Sequence, residues 1–148
     1  MARRVFFSFH YGHDLWRANV VRNAWVTHTD RTSSGFFDAS LWEKAKPSEA
    51  AIRRIIDDAL IGTTVTVVLI GAETATRRYV KYEIEKSLER GNGLIGIYIH
   101  KIANQKEEVD TAAPNPLSSA YPVYRWNADD GYKNIGSWVE AAAKNAGR

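Results

Sequence analysis

The side chains that could do chemistry together stand far apart in the chain. The opening Val5-Phe6-Phe7-Ser8-Phe9-His10-Tyr11 passes from an apolar stretch into a hydroxyl and an imidazole. The segment Tyr79-Val80-Lys81-Tyr82-Glu83-Ile84-Glu85 sets carboxylates behind an aromatic. Asp38, Ser40 and Trp42 add a carboxylate, a hydroxyl and an indole. Gathered around one space, such groups could grip a flat heterocycle and hydrogen-bond a sugar.

The elements that would position them follow from apolar periodicity and turn residues. Val5 to Phe9 reads as a short buried strand. Gly12 gives a turn and Asp14 can cap a helix to about Trp25, with Leu15, Ala18, Val21 and Trp25 inward and Arg17 and Arg22 off that stripe. His28 to Gly35 reads as a loop, and Phe36-Phe37 as a very short second strand. Ser48 caps a helix from Glu49 to about Leu60, ended by Gly62. Val65 to Ile70 is a near-continuous apolar run, the mark of a central parallel strand. A helix from about Arg78 to Arg90 follows, then a strand at Leu94 to Ile99. Lys101 to Pro122, with three prolines, reads as a long loop with room for a short helix. A fifth strand at Tyr121 to Trp126 and a closing helix from Gly131 to about Asn145 complete the chain.

Strands alternating with helices predict a parallel sheet covered on both faces: an α/β, flavodoxin-like three-layer sandwich with strand order 2-1-3-4-5. Residues 1–148 read as one domain. In that order the ligand crevice lies outside the carboxyl ends of strands 1 and 3. Ser8, Phe9 and His10 would meet Glu83 there, with Asp38, Ser40 and Trp42 bordering the same edge. An adenine or nicotinamide ring and its ribose would fit such a group.

Each residue also has a plainer reading. His10 could be a strand-end histidine bonded to backbone. Trp42 and Tyr79 could simply pack. Most helix glutamates are solvated. If Val80, Ile84 and Leu88 form the buried stripe, Glu83 and Ser87 flank it on one side and Glu85 on the other, so periodicity leaves Glu83 and Glu85 both open.

Other chemistries find no support. GxGxxG, GxxxxGK[ST] and GxSxG are all absent. With no cysteine, a thiolate nucleophile, a disulfide and a thiolate metal site are excluded. His10 and His13 lack a third ligand at convincing spacing, so no metal is expected. The net charge of +3 is carried in part by scattered doublets, Arg3-Arg4, Arg53-Arg54 and Arg77-Arg78, rather than a basic face, which disfavours nucleic acid. The 45% apolar and 25% charged composition is that of a soluble globular protein. No apolar run nears the roughly 18 to 20 residues that span a bilayer, and the stretch after Arg3-Arg4 is too short for a secretory leader. A cytoplasmic protein without membrane contact is the expectation.

RVFFSFHY, NVVRNAWV (19–26), FFDASLWEKAK (36–46) and RRYVKYEIEKSLERGNGLIGIYIH (77–100) together give the chain a family likeness. It resembles the TIR-like domains of the bacterial Thoeris anti-phage defence system over nearly its whole length. Enzymatic TIR domains carry a Trp-Cys-x-x-Glu pattern at the start of the helix after strand 3. Here Tyr79 and Val80 stand in the first two positions and Glu83 in that of the glutamate.

The resemblance implies an enzyme that cleaves nicotinamide from NAD, with NAD as substrate and no separate cofactor. Its product would be a cyclic ADP-ribose isomer, a second messenger reaching a partner effector after an infection-derived trigger. Glu83 would serve the ribose and its oxocarbenium-like state; Ser8, Phe9 and His10 would line the pocket floor; Asp38, Ser40, Trp42 and Tyr79 would contact sugar or base. Self-association is a further implication. Two alternatives stand beside it: a non-catalytic TIR assembly module, and a simple hydrolase that depletes NAD.

Overall fold

The computed structural model describes residues 3–36, 44–45 and 47–148. Five parallel strands, β1 (Arg3–Ser8), β2 (Arg31–Ser34), β3 (Val65–Ile70), β4 (Gly93–Tyr98) and β5 (Val123–Arg125), form one sheet ordered β2-β1-β3-β4-β5. The helices whose bounds lie within the described residues are α1 (Tyr11–Trp25), α2 (Glu49–Leu60), α3 (Arg78–Glu89) and α4 (Gly131–Asn145), with a 3-10 turn at Thr74–Thr76. This is the expected α/β, flavodoxin-like arrangement. Among the described residues no helix is long and apolar enough to cross a membrane.

Alternation along β1 divides the layers. Val5 and Phe7, with Phe9 just beyond the strand, join α1 and α4 in one core with Ala18, Val21, Trp25, Ile135 and Val139. Phe6 turns the other way onto Ile52, Ile56 and Leu60 of α2. Val68 and Ile70 of β3 meet Val80 of α3 on that second face. All six residues of β3 are buried, as two-sided cover requires of a central parallel strand. β1 pairs with β3 from Val5↔Val65 to Ser8↔Val68, so their carboxyl ends lie side by side at the switch point. The Ser48 hydroxyl accepts from the Ala51 amide and caps α2 as expected.

Three expectations are corrected. The second strand is the polar Arg31–Ser34 within the predicted loop, paired from Arg3↔Arg31 to Phe6↔Ser34. As an edge strand of partly exposed residues it needs no apolar run. Phe36 instead plugs the carboxyl end of the sheet, its ring 5.8 Å from Phe7 and 4.9 Å from Phe9; Phe37 lies outside the described residues. Gly12 is inside α1 and His10, not Asp14, is the N-cap residue. Its carbonyl accepts from the amides of His13 and Asp14. In residues 101–122 no helix forms.

Candidate active site

β1 delivers Ser8 to the carboxyl edge with its side chain on the α3 side of the sheet. From α3, Glu83 reaches back to it. The Ser8 hydroxyl donates to Glu83 Oε1 at 2.7 Å, with Ser8 wholly buried and Glu83 4% exposed. Glu85 is exposed. The open choice between the two carboxylates is therefore decided as geometry: Glu83 points to the switch point and Glu85 to solvent.

The buried face of α3 is Val80, Glu83 and Ser87, while Leu88 is 44% exposed. The face is thus turned from the expected Val80-Ile84-Leu88 stripe, because it meets polar groups on the sheet. Ser87 Oγ and Thr66 Oγ1 share a 2.6 Å hydrogen bond, and the Ser87 hydroxyl is 2.7 Å from the Glu83 carbonyl, within reach to donate to it. Asn92 Nδ2 donates to Thr63 Oγ1 at 3.0 Å. This buried polar seam fixes the roll of α3 and hence the direction of Glu83. Burial pushes the Glu83 carboxyl up to about 8, against the smaller downward pull of the Ser8 hydrogen bond.

Tyr79 is half-buried at the α2–α3 junction, packed against the Phe6, Ile52, Ile56 and Leu60 cluster, with the Arg78 guanidinium 5.1 Å from its ring centre. Phe9 lies on the opposite side of the sheet from Ser8, 6% exposed in the α1 core. His10 is half-buried beside Ser8 and Phe9 in sequence, its Nδ1 shut from solvent without a hydrogen-bond partner. Burial first, and the charge of Arg77 second, lower its pKa and favour neutral imidazole. Asp38, Ser40 and Trp42 lie outside the described residues.

Sequence reasoning missed a titratable cluster next to this edge, on the α1 side. Asp14 is wholly buried, and neither of its carboxylate oxygens has a hydrogen-bond partner. It lies against Gly71, where an added Cβ would stand 2.1 Å from Oδ2. Burial pushes Asp14 up to about 6, opposed by the charges of His13 and Arg17. Arg17, 2% exposed, pairs with Asp110 at 2.9 Å and lies 3.7 Å from Asp14. It also donates to the carbonyls of Ile102 at 2.7 Å and Glu108 at 3.0 Å. His13 Nε2 is 2.8 Å from Asp110 Oδ2, a hydrogen bond that raises the His13 pKa.

Ligand atoms of His13, Asp14 and Asp110 lie within 4.8 Å of one another, a set that could hold a metal ion. The long loop supplies the third group that local spacing could not reveal. The Arg17 guanidinium already puts a positive charge on both carboxylates, so the cluster has an internal counter-ion.

A five-stranded parallel sheet of this order, with a buried acid bonded across its switch point, defines a flavodoxin-like α/β protein of the TIR type. The family described as Thoeris protein ThsB, TIR-like domain, matches residues 6–104, and the chain belongs to that family. It is also similar to a Bacillus cereus (strain MSX-D12) protein named "Putative cyclic ADP-D-ribose synthase ThsB1", with 39% identity over 191 residues, covering 94% of this chain and all of the relative.

Proposed function

We propose that this protein cleaves the nicotinamide–ribose bond of NAD and closes the remainder into a cyclic ADP-ribose isomer. The observation that carries the reading is the buried Glu83 carboxyl, bonded to Ser8 at the carboxyl edge of β1 and β3. Family membership and the name of the relative add to it.

In the proposed reaction the bond between ribose C1′ and the nicotinamide nitrogen breaks. Its electron pair leaves with the ring, which departs neutral, so no general acid is needed. C1′ becomes oxocarbenium-like, as in glycoside hydrolysis. An ionised Glu83 beside the ribose stabilises that charge and accepts from its hydroxyls. A nucleophile within the ADP-ribose then bonds to C1′, losing its proton if it is a hydroxyl, while water is kept out. The resting carboxyl holds its proton up to about pH 8. The positive nicotinamide ring of NAD favours the ionised form as it arrives, which couples activation of the acid to substrate binding. The cyclic product would diffuse to a partner effector in anti-phage defence.

The test is incubation of purified protein with NAD, beside lysate of phage-infected cells expressing it, with mass spectrometry of the nucleotides. A cyclic ADP-ribose mass that vanishes in Glu83→Gln is expected. Linear ADP-ribose alone would replace the reading by NAD hydrolysis. No turnover under infection by folded protein would replace it by a non-catalytic assembly module.

A further inference from the structure

A cleft of about 820 Å3 opens at the carboxyl ends of β4 and β5, away from Ser8 and Glu83 and sharing no residue with them. Tyr98, His100 and Lys101 form one side and Arg125, Trp126 and Asn127 the other. Ala112 and Ala113 of the long loop make a third wall. The size is that of a small-molecule site rather than a protein interface. The carboxyl edge of parallel strands is where open α/β sheets take ligands.

The wall is built rather than incidental. A nearly fully buried arginine is a costly way to hold a loop, yet Arg17 binds the segment that precedes Ala112 through Ile102, Glu108 and Asp110. The Asp110 amide donates to the His100 carbonyl at 2.8 Å, closing the loop beside the cleft. Across the cleft, the Asp129 carboxylate accepts from the Arg125 amide at 2.7 Å and contacts its guanidinium at 3.3 Å, which holds the arginine at the mouth. On the far side, Gly131 packs so close to the Trp126 indole that an added Cβ would come within 2.2 Å of it, which fixes the plane of that ring.

The chemistry of the lining is one-sided. Lys101 and Arg125 are exposed cations, and among the described residues no carboxylate lines the cleft. Of the acids nearest in sequence, Asp110 pairs with Arg17, Asp129 pairs with Arg125 itself at the mouth, and Asp130 is exposed. The Tyr98 and His100 rings, edge to face at 5.8 Å, supply aromatic surface on the wall that carries Lys101, while Trp126, 8% exposed, packs into the α1–α4 core on the other side of the sheet. A guanidinium and an ammonium at the mouth suit phosphate oxygens, and aromatic surface behind them suits a nucleobase.

We infer that this cleft is a second ligand site, taking a nucleoside 5′-phosphate with its base against Tyr98 and His100 and its phosphate between Lys101 and Arg125. The same chemistry is offered by a free mononucleotide and by the AMP half of a dinucleotide. The site does not depend on the chemistry of Glu83.

The experiment is isothermal titration of the full-length Glu83→Gln protein, which removes turnover, with 5′-AMP, adenosine, inorganic phosphate and NAD in turn. The same titrations are run on a variant that also carries Lys101→Ala and Arg125→Ala, two exposed positions, with circular dichroism to check that its fold is that of the parent. Saturable 5′-AMP binding that weakens at least about tenfold in the double replacement is expected, with adenosine and phosphate each weaker than AMP. NAD competing with AMP would make the dinucleotide the source, and AMP binding unaffected by NAD would make it a free mononucleotide. No saturable AMP binding at millimolar concentration, or binding indifferent to both replacements, overturns the proposal. Because these readings need no turnover, they are distinguishable from failure of the NAD reaction, which is read in the unsubstituted protein.

Discussion

Ser8 and Glu83 stand 75 residues apart in sequence, yet the serine hydroxyl donates to the glutamate Oε1 at 2.7 Å with both side chains out of water. A lone hydroxyl donor is what offsets part of the cost of charging this carboxyl. Removing it by Ser8→Ala should therefore raise the Glu83 pKa further. For NAD turnover, kcat/KM in the unsubstituted protein should climb with pH along a limb near 8, the free-enzyme value. In Ser8→Ala that limb should move to higher pH, with a loss of roughly ten- to hundredfold at neutral pH, the worth of a hydrogen bond to a charged group. Ser8→Thr, which keeps the hydroxyl, should restore the limb. A uniform fall in rate with an unmoved limb would assign Ser8 to packing alone.

The same carboxyl makes stability depend on pH in a defined direction. Its folded pKa, about 8, lies above the ordinary 4.5, so between those values the folded state binds more protons than the unfolded state. The stabilisation is complete below about pH 4.5 and is lost as pH rises through about 8. Other groups titrate in this range, so the informative quantity is the difference from Glu83→Gln, which cannot ionise. Tm of the unsubstituted protein should fall relative to that variant between pH 5 and pH 8.5. Parallel Tm profiles would show that Glu83 is not held neutral by the fold.

Gly71 is required by Asp14. A Cβ at position 71 would stand 2.1 to 2.7 Å from the Asp14 carboxylate atoms, and Asp14 has no room to yield because it is wholly buried. Gly71→Ala should destabilise the protein by about 1–3 kcal/mol, the usual cost of overpacking. Combining it with Asp14→Ala, which vacates that space, should recover part of the loss in a double-mutant cycle on denaturant unfolding. Strictly additive losses would mean that the two positions do not meet.

What the sequence made legible was what apolar burial and caps record. β3 shows as an unbroken apolar run, α2 begins at a capping serine, and of the inward set that the spacing of α4 predicts, Ile135, Trp138, Val139 and Ala142, all are buried except Trp138, which is half-buried. The strand order followed from alternation of elements. β2 was hidden because an edge strand of Arg-Thr-Ser-Ser carries no apolar signal, while the Phe36 beside it packs end-on against Phe7 and Phe9. Glu83 could not be separated from Glu85 because hydrophobic periodicity treats every polar residue as outward. Here Ser87 and Thr66 bury a hydroxyl pair and roll the helix around them. Arg17 was read as lying off the buried stripe for the same reason; its partners Ile102, Glu108 and Asp110 come from a loop that local spacing cannot connect to α1.

That loop gives the last prediction. Arg17 makes three of the bonds between α1 and residues 102–110, to two backbone carbonyls and the Asp110 carboxylate, beside the His13–Asp110 contact, in a segment outside helix and strand. Arg17→Met keeps much of the apolar stem and removes every one of these bonds. Asp110 would keep its contact with His13, but the carbonyls of Ile102 and Glu108 would lose their donor. Truncating one partner of a buried ion pair costs about 3–5 kcal/mol when the charge left behind stays buried. Asp110 is only half-buried and Asp14 can take up a proton at about pH 6, so the global loss should fall below that range. The larger effect should be local. Amide hydrogen exchange across 102–110 should quicken far more than across β3 or β4, since opening of the loop then breaks only the His13–Asp110 contact to α1. Equal acceleration across the sheet would mean instead that Arg17 supports the whole fold rather than this one loop.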